Sequence, residues 1–242
     1  MKTLLSWSGG KDSALALAAL RLDRTYEVVG LLTTVSEQHQ RVSMHGVRID
    51  LMREQAMRLG LPLITIAMPR YQNFASPNPD TCPIDLPSNN TYEQTMLSAF
   101  ADARKSGIEA IAFGDIYLED LRRYRDVLLA QSGMRGVYPL WQRGTAELLR
   151  EFITNGWRAV VVCTDDQRLA PTWIGREIDS RFAADLPENV DPCGERGEYH
   201  SFVYDGPLFA EAVPFTRSHV VTRAPFTFCD LLPDVKREAV AS

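Results

Sequence analysis

Long apolar runs are absent from this chain of 242 residues. No stretch approaches the roughly 18 residues that a membrane-spanning helix needs, so a membrane is not expected as a partner. The first residues carry one lysine, a short apolar run and then glycines and charges, and do not read as a secretory leader. Cysteine is scarce: Cys82, Cys163, Cys193 and Cys229 lie far apart. There is no CxxC pair and no Cys/His spacing for zinc or an iron–sulfur cluster. Scattered thiols of this kind fit a reducing, cytoplasmic setting. Basic charge is not in excess either, with 26 Lys plus Arg against 31 Asp plus Glu. A broad basic face is therefore missing, and nucleic acid is not expected as a partner. Internal repeats and low-complexity segments are also lacking.

What is there, at 45% hydrophobic and 24% charged, is ordinary globular composition. Apolar, β-branched runs at 3–7, 27–35, 63–68, 108–113 and 136–141 read as strands. Segments at 13–22, 45–59, 91–106 and 117–131 carry helical spacing between them. Strands separated by single helices predict βαβ crossovers and an α/β fold: a parallel five-stranded Rossmann-like sheet with helices on both faces. The pattern loosens after about residue 141. A helix at 145–155 and a strand at 159–164 precede a mixed stretch at 169–185 and short β-like runs at 201–204 and 219–222. This predicts a first domain over 1–140 and a smaller α+β domain over 141–242. The segment 69–90 holds five prolines and is longer than a plain connector, which marks it as functional or mobile.

In a parallel sheet ligands sit at the carboxyl ends of the strands. Ser8-Gly9-Gly10-Lys11-Asp12-Ser13 falls at such an end, between the first strand and the first helix. That hinge places unpaired backbone N–H groups beside the positive end of a helix dipole, which is an anion site with phosphate as the usual guest. Gly9 and Gly10 allow close approach of the backbone. Ser8 and Ser13 add hydroxyl donors and Lys11 a cation. Asp12 would repel a phosphate unless it holds Mg²⁺ or caps the turn. Two familiar phosphate motifs fail here. A Walker A loop needs Gly-x4-Gly-Lys-Ser/Thr, but Leu5 stands five before Gly10 and Asp12 follows Lys11. A Gly-x-Gly-x-x-Gly fingerprint does not occur.

The six-residue stretch resembles the PP-loop of the ATP pyrophosphatase superfamily. Three further stretches narrow the likeness: FGDIYLEDLRRYRD at 113–126, YPLWQRGTAELLREFITNGWRAVVV at 138–162 and CGERGEYHSFVYDGPLF at 193–209. In order, they resemble the diphthine–ammonia ligase family over nearly the whole chain. Ser201 stands where that family usually has threonine. The resemblance implies an ATP- and Mg²⁺-dependent ligase. ATP adenylates a carboxylate, pyrophosphate leaves, and ammonia displaces AMP to form an amide. The acceptor would be diphthine on elongation factor 2 or, in a bacterial host, a small-molecule carboxylate. No glutaminase domain is present, so free ammonia is the expected nitrogen source. A tRNA-modifying enzyme and a nucleotide-binding sensor are rival readings of the same loop, and a homodimer is one assembly the sequence allows.

Other candidates follow, each with a plainer alternative. Asp115 ends the fourth strand at the ligand edge, where it would hold Mg²⁺ with Asp12 or act on the reacting phosphate; it would otherwise cap the next helix. Thr33 ends the second strand, where the superfamily meets adenine, and is otherwise simply a strand end. His45 opens a helix, where the family has a similar histidine for phosphate or substrate; a lone histidine there also serves as a cap. Asn90, Tyr92 and Glu93 match a family element at the substrate mouth, or else mark a helix start. Glu195, Glu198, Tyr199 and His200 supply two carboxylates, a phenol and an imidazole for ammonia deprotonation and substrate anchoring. Diphthine carries a quaternary ammonium, which a carboxylate and an aromatic face would hold. Without function they form a polar hairpin. Cys193 reads as a buried, inert thiol.

Overall fold

The computed structural model describes residues 1–37, 39–42, 45–68 and 90–234, without the side chains of Asn90 and Thr91. Most of the proline-rich segment, Cys82 and the last eight positions lie outside the described residues.

The first sheet is built from β1 (Lys2–Ser6), β2 (Glu27–Ser36), β4 (Leu63–Met68), β5 (Ala110–Ala112) and β6 (Arg135–Val137), all parallel and in the order β4-β2-β1-β5-β6. A two-residue strand, β3 (Arg41–Val42), adds antiparallel to the end of β2, beyond the β1 ladder. Helices α1 (Lys11–Leu22), α2 (Ile49–Leu59), α3 (Asn90–Lys105) and α4 (Glu119–Gln131) are the crossovers. Alternation in β1 sends Leu4 and Leu5 into separate cores. Leu4 packs with Met96 and Phe100 of α3 and Leu128 and Leu129 of α4. Leu5 packs with Leu17 of α1 and Met52 of α2. The α/β fold with helices on both faces is thus the one the sequence predicts. The strand order reverses at β1, so the switch point lies between the carboxyl ends of β1 and β5.

The second sheet is antiparallel, in the order β8 (Tyr199–Asp205), β7 (Arg158–Asp165), β10 (Phe226–Pro233) and β9 (Phe215–Arg223). Helices α5 (Thr145–Thr154) and α6 (Ser180–Asp185) flank it, with a short 3₁₀ turn at Pro171–Trp173. Its strands are longer than the β-like runs suggest, and β10 is not visible in the sequence pattern at all. Val160, Phe202 and Val203 of this sheet join the same apolar cluster as Leu5, Leu17 and Met52. The second sheet therefore closes over α1 and α2.

Gln55 of α2, fully buried, fastens that closure. Its Oε1 accepts from Trp7 Nε1 at 2.8 Å. Its Nε2 donates to the carbonyls of Gly9 and Val203, one from each half of the molecule. Val203 N–H in turn donates to Gly9 O at 2.8 Å. Gln55→Leu keeps the volume but leaves a ring N–H and two carbonyls short of a partner, each costing about 1–3 kcal/mol. The expected result is a loss of about 3 kcal/mol or more in urea unfolding; a change under about 0.5 kcal/mol would show that the glutamine is not a fastening.

Candidate active site

The chain leaves β1 at Ser6, turns at Gly9 with φ +79° and enters α1 from an extended Gly10. A side chain at Gly9 would need this left-handed backbone, and its Cβ would lie 2.8 Å from Met52 Sδ. A Cβ on Gly10 would lie 3.1 Å from both His45 Cε1 and Ser201 O. The two serines brace the loop from within. Ser8 Oγ accepts from Gly10 N–H at 3.2 Å and lies 3.3 Å from Ser13 Oγ. Ser13 Oγ donates to Gly10 O at 2.8 Å.

Lys11 does not reach toward the mouth of the loop. Its side chain is 2% exposed, and Nζ donates to both Asp12 oxygens at 2.8 Å and to the Cys193 carbonyl. The ammonium sits 5.3 Å from the Tyr199 ring centroid. Burial works against its charge, but Asp12 above all holds its pKa well above the ordinary value. Lys11 N–H donates to Ser201 Oγ at 3.1 Å, which ties the first residue of α1 to β8.

The 191–199 loop is tied to itself as well. Asp191 Oδ1 accepts from the N–H groups of Cys193 and Glu195, and Tyr117 Oη donates to Oδ2. Glu198 is 2% exposed, and its two oxygens accept from Asp191 and Arg196 N–H at 3.1 and 3.0 Å. Tyr199 Oη donates to Pro192 O at 2.6 Å. Glu198 and Tyr199 are therefore turned toward their own loop, away from the role in catalysis and substrate anchoring that the sequence suggests. Cys193 is buried with its thiol on Thr145 O at 3.3 Å, and burial pushes its pKa up, as for an inert thiol. Asp191 was not singled out in the sequence. Its only signal there is an acid opening the Asp-Pro-Cys-Gly turn.

Glu195 faces the other way. Its Oε1 accepts from Ile116 N–H at 2.7 Å and Tyr117 N–H at 3.3 Å, just past the end of β5. Burial first, then the Asp12 carboxylate, raises its pKa from 4.5 to about 7, with Asp115 adding to the same effect. Asp12, Asp115 and Glu195 thus converge across the switch point. Asp115 is paired with Arg125 of α4, whose guanidinium lies 4.3 Å over the Phe113 ring. Arg125 was also missed. Its sequence signals are a place in the basic Arg-Arg-Tyr-Arg run and within the 113–126 stretch that carries the resemblance.

The pair expected to hold Mg²⁺, Asp12 and Asp115, does not compose a cation cage. Lys11 takes one carboxylate and Arg125 the other. Among the described residues no group of three or more His, Cys, Asp or Glu stands in position for a metal ion. The donor set does not fit a protein-held Mg²⁺.

A nucleotide fits better. Trp7 N–H on Leu32 O at 2.8 Å sets Thr33 beside the start of the loop. Thr33 Oγ1 and His45 Nδ1 are both buried without a hydrogen-bond partner. The His45 ring meets the Ser201 backbone and lies 4.4 Å, centroid to centroid, from His200 of β8. Burial lowers the pKa of His45 to about 4 and that of His200 well below its usual value, so both rings are neutral at pH 7. Tyr92 of α3 is half-buried; burial raises its pKa, and the nearby Arg125 opposes this. It therefore approaches the Asp115 corner. Asn90 and Glu93 stand in the first turn of α3, the position the helix-start reading gives them.

Gly114 closes the geometry. A Cβ there would lie 2.9 Å from the Asp12 backbone carbonyl, so β5 can seat against the loop only without a side chain. Gly114→Ala is expected to cost about 1–3 kcal/mol through overpacking. Differential scanning calorimetry checks this; an unchanged Tm would mean that the loop can retreat freely.

Residues 1–72 match the diphthamide synthase N-terminal domain, and residues 144–228 the diphthamide synthase C-terminal domain. The chain is 28% identical to a diphthine–ammonia ligase of Bos taurus over 91% of its own length and 85% of the relative's. It is 29% identical to the Mus musculus diphthine–ammonia ligase over the same shares. A 7-cyano-7-deazaguanine synthase of Sinorhizobium fredii is 32% identical over 47% of this chain and 45% of its own. The two domain matches, in order along the chain, together with relatives matched over 91% of it, leave one placement: the chain belongs to the diphthine–ammonia ligase family.

Proposed function

We propose that the protein is an ATP-dependent, AMP-forming amide ligase that activates a carboxylate and condenses it with ammonia. The observation that carries this is the approach of Glu195, a carboxylate from the second half of the chain held on Ile116 and Tyr117 N–H with a pKa raised to about 7, to Asp12 of the Ser8–Ser13 loop. The relatives' name, diphthine–ammonia ligase, points to the same chemistry. Nucleotide binding is assigned to residues 1–140 and the acceptor side to 141–242.

The phosphates lie against the loop backbone and the start of α1, where N–H groups and the helix dipole favour anions. The unpaired Thr33 Oγ1 and His45 Nδ1 gain partners from the nucleotide. The acceptor carboxylate attacks the α-phosphorus and the bond to the bridging oxygen breaks, releasing pyrophosphate. Ammonia then adds to the acyl carbon of the adenylate. The nitrogen sheds a proton to the Glu195 carboxylate, and AMP leaves with the C–O bonding pair. Lys11 and Arg125 keep Asp12 and Asp115 neutralised, so the site does not repel the nucleotide. Mg²⁺ enters as the usual companion of ATP rather than in a protein cage, and no step is assigned to it.

The acceptor is a carboxylate, either diphthine on elongation factor 2 or a small molecule. Tyr92 at the Asp115 corner and His200 beside the loop border its place, with Asn90 and Glu93 on the first turn of α3. The buried free thiols of Cys163, Cys193 and Cys229 suit a cytoplasmic setting.

The test is product analysis with α-labelled ATP, magnesium, ammonium and an extract of host proteins and metabolites. AMP and pyrophosphate are expected; ADP and phosphate would overturn the reading. Glu195 works as the carboxylate, so turnover rises with pH through about 7. Glu195→Gln is expected to lower kcat about 10²–10⁴-fold and to abolish that limb of the pH profile. A Gln variant with the same limb would remove Glu195 from the chemistry. The same shift acts on stability with the opposite sign. Between pH 4.5 and about 7 the folded state keeps a proton that the unfolded chain has lost, so stability falls as pH rises through that window.

A further inference from the structure

The His45 loop is held shut at its base by one carboxylate far along the chain. Arg41 and Arg48 face each other across an isolated antiparallel bridge, and Val42 N–H reaches Val47 O at 2.8 Å. Asp230 of β10 takes both arginines. Arg41 Nη2 lies 2.8 Å from Oδ1, and Arg48 makes a two-point contact at 3.0 and 2.7 Å. Arg41 also donates to Gly46 O at 2.7 Å, across the neck of the loop. Asp230 is 4% exposed, while the arginine side chains are 31% and 37% exposed. Burial alone would raise the Asp230 pKa, but the two guanidiniums hold it below the ordinary value.

The placement depends on an irregularity in the strand. The β9–β10 register shifts between Cys229 and Leu231, and Cys229, Asp230 and Leu231 are all buried in sequence. A regular half-exposed strand would turn every second residue outward. The shift lets Asp230 face Arg41 and Arg48, as such irregularities do when they re-aim a side chain. Two residues earlier Phe228 packs on Gly46, where an added Cβ would stand 3.0 Å from the ring.

We propose that Asp230 is a positioning residue for the phosphate loop: by drawing Arg41 and Arg48 together it holds Val42 against Val47 and sets the His45 ring between Gly10 and His200. This rests on the reading of the loop as a nucleotide site. Asp230 touches neither Gly9 nor Gly10 in the described contacts; its effect passes through His45. A carboxylate is suited to the task because it accepts from both guanidiniums at once. The fork geometry of Arg48 fixes direction as well as distance.

Two measurements on the full-length protein test this. The imidazole signals of the four histidines are recorded by ¹H–¹⁵N NMR without nucleotide. ATP affinity is measured by calorimetry with magnesium. Asp230→Asn is expected to shift or broaden the His45 and His200 ring signals and to weaken ATP binding about tenfold, the scale of a small misplacement at a site. Asp230→Glu is expected to recover most of both. The double variant Arg41→Gln, Arg48→Gln, at more exposed positions, should reproduce the Asn variant if Asp230 does not tolerate change. Wild-type ring signals and ATP affinity in a variant that merely melts earlier would overturn the proposal. Should the wild-type protein fail to bind ATP, the nucleotide reading falls. The ring signals would still decide whether Asp230 sets His45.

Discussion

The buried Lys11 ammonium is the point on which the two halves of the molecule depend. It leaves the first turn of α1, neutralises Asp12 and ends on the Cys193 carbonyl above the Tyr199 ring. A cation taken out of water needs such partners, since breaking a buried pair costs about 3–5 kcal/mol. The loop of the second half is bent to supply one of them. Asp191, Glu198 and the Tyr199 hydroxyl all hold that bend, through hydrogen bonds to backbone or to one another's neighbours. Several acidic and aromatic residues that look catalytic in a row are therefore the mould in which one carbonyl is presented to Lys11. Glu195, the member of the row that points out of the mould, is left facing the switch point.

Charge at that point is balanced from within. Asp12, Asp115 and Glu195 lie close enough to raise the Glu195 pKa, yet two of the three have a resident cation. The unbalanced one is Glu195, which is consistent with its being near half-protonated at neutral pH. Environment, not residue type, sets Glu195 apart: Lys11 and Arg125 pair with its two neighbours, while Glu195 has no cation against it among the described contacts.

Much of this was legible in the sequence where the cause is local. A short apolar strand, two glycines and an Ala/Leu helix dictate the strand–loop–helix hinge, and helix-separated strands dictate a parallel sheet with helices on both faces. The direction of Lys11 was not legible, because the Cys193 carbonyl on which it ends lies 182 residues away. The start of α2 was read four residues early, at His45 rather than Ile49. Residues 45–48 have helical spacing, but Asp230 and Phe228 pull them into a turn against β10. β10 itself escaped because its burial does not alternate around Asp230. Glu195 and Glu198 differ by three positions and have opposite orientations, which spacing alone does not resolve.

The hydrogen bonds between the phosphate loop and β8 have a kinetic consequence. Gly9 O meets Val203 N–H and Lys11 N–H meets Ser201 Oγ, the latter pair separated by 190 residues. β8 is an edge strand of its sheet, so the loop also covers an edge that would otherwise offer itself to another chain. Contacts this distant in sequence form only after the chain between them has been gathered in, and they are slow to form for that reason. The loop precedes β8 in the chain and therefore takes its full set of contacts only once β8 has docked. A chain released before β8 has docked would have the residues of the cradle without the cradle, and occupancy by nucleotide would mark only those molecules that have finished folding.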